Sequence, residues 1–120
     1  MTYENDLQLA ISAWRQDPIE DEWIFEKFRS DVVGGLSSAD AFDAIDLTVD
    51  TLLREHDEST AIELLQTLIC LARRSETTEM PTSVTGRWAE LVGLVSSSGE
   101  YAKLKLKELA AHYRMDASLQ

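Results

Sequence analysis

The feature that most constrains this chain is a helical spacing of apolar residues running almost its whole length, interrupted only by capping and turn signals. Leu7, Ala10, Ile11 and Trp14 recur at three and four residues and share one helical face. "DPIE" then marks a new start: Asp17 suits a cap, Pro18 the first helical position, and Glu20 completes a capping-box-like arrangement. The next stripe is Ile24, Phe25, Phe28 and Val32, which Gly34 and Gly35 end. "SSAD" opens a third helix with Ser37 or Ser38 as cap and Phe42, Ile45, Val49, Leu52 and Leu53 as its core face.

"HDES" supplies a turn and a fresh cap, and a fourth helix carries Ile62, Leu65, Leu68, Ile69 and Ala72. Leu64, Cys70 and Leu71 widen its apolar arc, which predicts a helix in the middle of the domain. "RRSETTEMPTS" is the longest polar connection. A fifth helix bears Val84, Trp88, Leu91, Val92 and Val95. "SSSGE" breaks it with Ser98 as cap, and a sixth bears Ala102, Leu106, Leu109 and Tyr113. "KLKLKEL" alternates like a strand, but lysine, leucine and glutamate favour helix.

The expected fold is therefore all-α. About six helices form three antiparallel hairpins, arranged as a bundle or a short HEAT-like stack within a single helical domain, 1–120. A chain of 120 residues can bury a core without metal or disulfide support.

The charge is strongly asymmetric. The whole chain carries a net −11, of which residues 1–63 hold 16 acids against 4 bases and the remainder is nearly neutral. Such a balance argues against direct nucleic-acid or anionic-membrane binding, since both need a basic footprint. It favours attraction to a basic protein. No apolar run approaches the length of a membrane span and no leader is evident. The lone Cys70 lies in "IELLQTLICLA", read as a small buried core residue that forms no disulfide within a monomer. A cytoplasmic location follows as an expectation.

Within the acidic half, Asp40, Asp43, Asp46, Asp50 and Asp57 recur every few residues. Asp40 is explained by the helix start, where an acid meets the helix dipole. Asp43, Asp46 and Asp50 lie on one flank beside the core stripe, where aspartate is a poor helix former and like charges repel by a few tenths of a kcal/mol per pair. They are either a docking edge or a solvated flank. A magnesium site needs a second acidic helix facing the first and a basic cluster to hold phosphate, and neither is evident; no metal or other cofactor is expected. His56 and His112 come without spaced partners, and Gly34–Gly35 lacks the strand and lysine of a phosphate loop, so no catalytic residue is expected. On the second helix Trp23 falls beside Glu20 and Glu26. It either packs against a neighbouring helix or anchors a partner inside an acidic ring.

The hairpin "TLLREHDESTAIELLQTLICLARRSETTEMP" and the ending "YAKLKLKELAAHYRM", in a short acidic helical chain, resemble the small immunity proteins of bacterial toxin–immunity systems, including contact-dependent growth inhibition. The resemblance is one of architecture. It implies a non-catalytic inhibitor whose partner is a secreted toxin domain, often a basic nuclease, bound at or near its active site. We therefore expect an immunity protein that neutralises a basic cognate toxin through its acidic first half, with Asp43, Asp46, Asp50, Asp57, Glu20, Trp23 and Glu26 as contact residues. The alternative is an adaptor or regulatory interaction module in a cytoplasmic assembly.

Overall fold

In the computed structural model, residues 3–16, 24–55, 57–77, 79–97 and 99–113 are described. They form helices α1 (Tyr3–Gln16), α2 (Ile24–Phe28), α3 (Ser38–Leu53), α4 (Glu58–Arg74), α5 (Thr82–Ser96) and α6 (Glu100–His112). Helix α2 continues directly into a π-helical turn, Arg29–Val33. No strand occurs among the described residues, and the all-α class read from the sequence is the observed one.

Each sequential pair packs: α1 on α2, α3 on α4, α5 on α6. Helix α5 also lies against α3, and α4 lies against both α6 and the π turn. Two rows result, with α1, α3 and α5 in one and α2, α4 and α6 in the other. The Cα extents of 37 × 32 × 19 Å describe a slab two helices thick. Hairpins thus stack side by side, each burying its apolar face on the next.

Helix α4 occupies the middle, as its broad apolar arc predicts. Leu64, Leu65, Leu68, Leu71 and Ala72 are all buried. Complete burial of one leucine contributes roughly 1.5–3 kcal/mol, so this helix supplies a large share of the core. Thr67 is also buried within it, with its hydroxyl donating to the Glu63 carbonyl oxygen at 2.9 Å. That bond removes the penalty of an unpaired hydroxyl in the interior. At the other end of the stack, Trp14 meets Phe25 edge-on at 5.4 Å, and Tyr3 and Phe25 both pack on Phe28.

Three sequence expectations are adjusted by the structure. Val32 was read as core, but Val33 is the buried residue, at 2% exposure, and Val32 is half-buried. A π turn inserts an extra residue per turn, which rotates every later side chain out of the 3.6-residue register. Gly34 and Gly35 end the helical segment, as the sequence predicts, but not through a left-handed glycine at Gly34. Gly34 instead keeps φ −62°, and its amide donates to the Arg29 carbonyl oxygen at 3.0 Å, which completes the π turn. Its missing side chain is needed for a different reason: a Cβ there would lie 2.4 Å from the Ser30 carbonyl oxygen. Cys70, expected to be buried, is half-buried.

Two caps are as read. The Ser37 hydroxyl oxygen accepts from the Asp40 amide at 3.1 Å and starts α3. Asp57 starts α4 in the same way. The expected caps Asp17 and Ser98 lie outside the described residues.

Candidate functional site

The acidic surface is organised around the first half of α3. The buried face of this helix is Ala41, Ala44, Ile45, Thr48, Val49 and Leu52, while Phe42 and Leu53 are only half-buried. On a wheel of roughly 100° per residue this places Asp43, Asp46 and Asp50 on the side away from the core rather than on a flank beside it. Phe42 and Leu53 had drawn the sequence-based stripe towards them. The true centre is set by Ala41 and Thr48, small enough for close approach to neighbouring helices.

Two clefts flank this outward face. One, of about 400 Å³, lies between the start of α1 and α3 and is lined by Tyr3, Glu4, Leu36, Asp40, Asp43 and Leu47. The other, of about 320 Å³, lies against the connection after α4; Phe42, Asp43, Thr77 and Glu79 are among its lining residues. Asp43 is exposed and belongs to both. Each cleft therefore combines apolar side chains with carboxylates, a lining suited to the aliphatic stem and cationic head of an arginine or lysine.

The first cleft is held in shape by a polar contact between α1 and α3. Tyr3 Oη lies 2.8 Å from Thr48 Oγ1, and the Thr48 hydroxyl donates to the Ala44 carbonyl oxygen at 2.9 Å. Because the threonine proton is committed to Ala44, the tyrosine hydroxyl is the donor to Thr48. Burial raises the Tyr3 phenol above its ordinary range, with the Thr48 hydrogen bond opposing. At the other end of α1, Arg15 pairs with Glu55, a carboxylate only 7% exposed that also accepts the Asp57 amide at 3.0 Å. These contacts fix both ends of α1 against the α3 layer.

The remaining expected contact residues have separate fates. Asp46 is exposed on the same outward face. Asp50 is half-buried and committed: Oδ2 meets Arg54 at 2.6 Å and Oδ1 meets Arg87 of α5 at 3.2 Å. Asp57 is the N-cap of α4. Its Oδ2 accepts the Thr60 hydroxyl at 2.8 Å and the Thr60 amide at 2.9 Å, which hold its carboxyl below the ordinary range. Its local role is structural. Glu26 is exposed on α2. Glu20 and Trp23 lie outside the described residues.

Sequence reasoning missed Tyr3, Glu4, Leu36 and Leu47, and set Asp40 aside as a helix-start acid. Leu36 and Leu47 gave a weak signal, since both are apolar residues outside the expected stripe. Tyr3 and Glu4 gave none, being far from α3 in sequence.

Among the described residues, no three or more His, Cys, Asp or Glu side chains gather closely enough to hold a metal ion. His112 is half-buried; its Nε2 lies 2.9 Å from the Thr77 carbonyl oxygen, so that nitrogen carries the proton. No described helix is long and apolar enough to cross a membrane. Compared with protein families, with curated proteins and with solved structures, the chain matches none.

Proposed function

We propose that this chain is a non-catalytic immunity protein that binds and neutralises a basic toxin domain, using the acidic face centred on Asp43. The observation that carries the reading is the shared position of Asp43 between two clefts, each with apolar side chains and at least one further carboxylate in its lining. Adjacent arginine or lysine side chains from one partner surface would enter both clefts, with Asp43 accepting hydrogen bonds from either. The net −11 would draw a basic partner in before contact, raising the association rate most at low salt.

The contact set is correspondingly narrower than the aspartate ladder. Asp43 leads, with Asp40 and Glu4 on one side and Glu79 on the other, and with Asp46 extending the face. Asp50 contributes field rather than a free carboxylate, because Arg54 and Arg87 already occupy its oxygens. The inhibitor acts in the cytoplasm by covering the toxin's basic active-site surface, and needs no catalytic group of its own.

The test is affinity capture from the source cell's lysate at low salt, with wild-type and Asp43→Lys baits compared by mass spectrometry. Wild type should retain a basic toxin domain and the variant should lose it, while thermal melting shows both baits equally folded. Retention of the same basic protein by both baits would remove Asp43 from the interface. Capture of a housekeeping assembly in place of a toxin would sink the immunity reading.

A further inference from the structure

We propose that the cleft between the π turn and the last turn of α4 binds a phosphate-bearing small molecule, independently of the acidic face. The cleft measures about 350 Å³ and gathers Arg29, Arg73 and Arg74 around Val33, Gly34 and Cys70. Three of the chain's 11 basic residues thus converge on one concavity of a protein whose net charge is −11. Guanidinium is planar, permanently charged and forked, which matches phosphate oxygens.

Two of these arginines are held by bonds that use only part of the fork. Arg29 Nη1 donates to the Glu63 carbonyl oxygen at 3.3 Å and to its Oε1 at 3.1 Å, leaving Nε and Nη2. Arg74 Nε donates to the Leu36 carbonyl oxygen at 2.7 Å, leaving both terminal nitrogens. Arg73 is exposed. Side chains already anchored lose less freedom when a ligand binds. A phosphate dianion offers three equivalent oxygens to three guanidiniums, whereas a carboxylate offers two.

The backbone around the cleft is unusual in two independent ways. It contains the π turn, and it contains Glu76 at φ 59°, a left-handed conformation that glutamate rarely adopts. Both features cost stability and both concentrate at binding sites. Opposing charge is present too: Glu63 offsets Arg29, Glu76 lines the cleft, and the carbonyl end of α4 is close by. These opposing charges weaken the attraction of the cleft for an anion.

The experiment is titration of the isotopically labelled full chain with inorganic phosphate, and separately with glycerol phosphate, by amide NMR at ionic strength held constant with sodium chloride. Saturable shifts should centre on Gly34, Cys70, Arg73 and Arg74, and Arg73→Gln should weaken binding at least fivefold. That variant keeps the Arg29 and Arg74 anchors, and its spectrum reports whether the fold is intact. Tighter binding of glycerol phosphate assigns the site to a phosphomonoester, and equal binding assigns it to the phosphate ion; both outcomes support the site. Shifts no larger than those from chloride, shifts centred on Lys103–Lys107, or indifference to Arg73→Gln would overturn it.

Discussion

Arg87 of α5 donates from Nη1 to Oδ1 of Asp50 on α3 at 3.2 Å, while Arg54 takes the other carboxylate oxygen at 2.6 Å. One rung of the aspartate ladder is therefore a tie between neighbouring hairpins. Both side chains of the Asp50–Arg87 pair are about one-third exposed, so solvent screens the attraction. A double-mutant cycle of Asp50→Ala and Arg87→Ala should give a coupling of about 0.5 kcal/mol by urea denaturation, shrinking in high salt. A coupling of zero would make the contact incidental.

Asp57 should prove structural. Replacing it with alanine removes the acceptor for the Thr60 amide and hydroxyl and should cost about 1 kcal/mol in urea unfolding. The effect carries a defined pH dependence. The Thr60 hydrogen bonds, the hydroxyl's first, lower the folded pKa below the unfolded value of about 3.9. In acid the unfolded chain then binds more protons than the folded one, and stability rises with pH through that window. Asp57's contribution is present above the unfolded pKa and lost as pH falls through the folded one. The gap between wild type and Asp57→Ala should accordingly be full at neutral pH and should narrow below about pH 4.

Thr48→Val preserves shape but leaves the part-buried Tyr3 hydroxyl without its acceptor and the Ala44 carbonyl oxygen without the threonine donor. The expected loss is about 1 kcal/mol, that of a typical hydrogen bond whose remaining donor is only partly screened from water. Tyr3→Phe in the same background should restore part of it, because both partners are then apolar. Thermal melts of the two single variants and the double variant decide this. If the double variant is no more stable than Thr48→Val alone, the hydrogen bond is not what the substitution removed.

Gly34 and Glu76 should respond in opposite directions. Gly34→Ala drives a methyl into the Ser30 carbonyl oxygen and should destabilise by about 1–3 kcal/mol, although its φ is ordinary for any residue. Glu76→Gly relieves a left-handed glutamate at φ 59° and should stabilise by about 1 kcal/mol. Melting temperatures of the two variants provide the comparison. A neutral Gly34→Ala would mean that the π turn relaxes to accommodate the added carbon.

The sequence carried more of the fold than of the site. Ser37 and Asp57 could be read as caps because a cap and the amide it binds are three residues apart, and α4 could be placed centrally from its own composition. The register after Phe28 could not be read, because an extra residue in a helical turn leaves no mark in apolar spacing until the packing is known. Val32 and Val33 look equivalent in the sequence; only the π turn separates them.

For the candidate site, acid concentrated in the first half of the chain and a run of aspartates beside the apolar stripe of α3 were legible in the sequence. That these aspartates face away from the core was not, because the buried face is centred on Ala41 and Thr48 rather than on Phe42 and Leu53. Tertiary structure decided what each aspartate does. Asp50 is neutralised by an arginine 37 residues later, Asp57 is consumed by its own helix, and Asp43 is left between two clefts that Tyr3 and Glu4 help form on one side and Glu79 on the other. The physical reason is range. Capping, helix propensity and periodicity act within a few residues and are written locally, whereas a cleft or an ion pair between helices depends on which faces the stacked rows bring together.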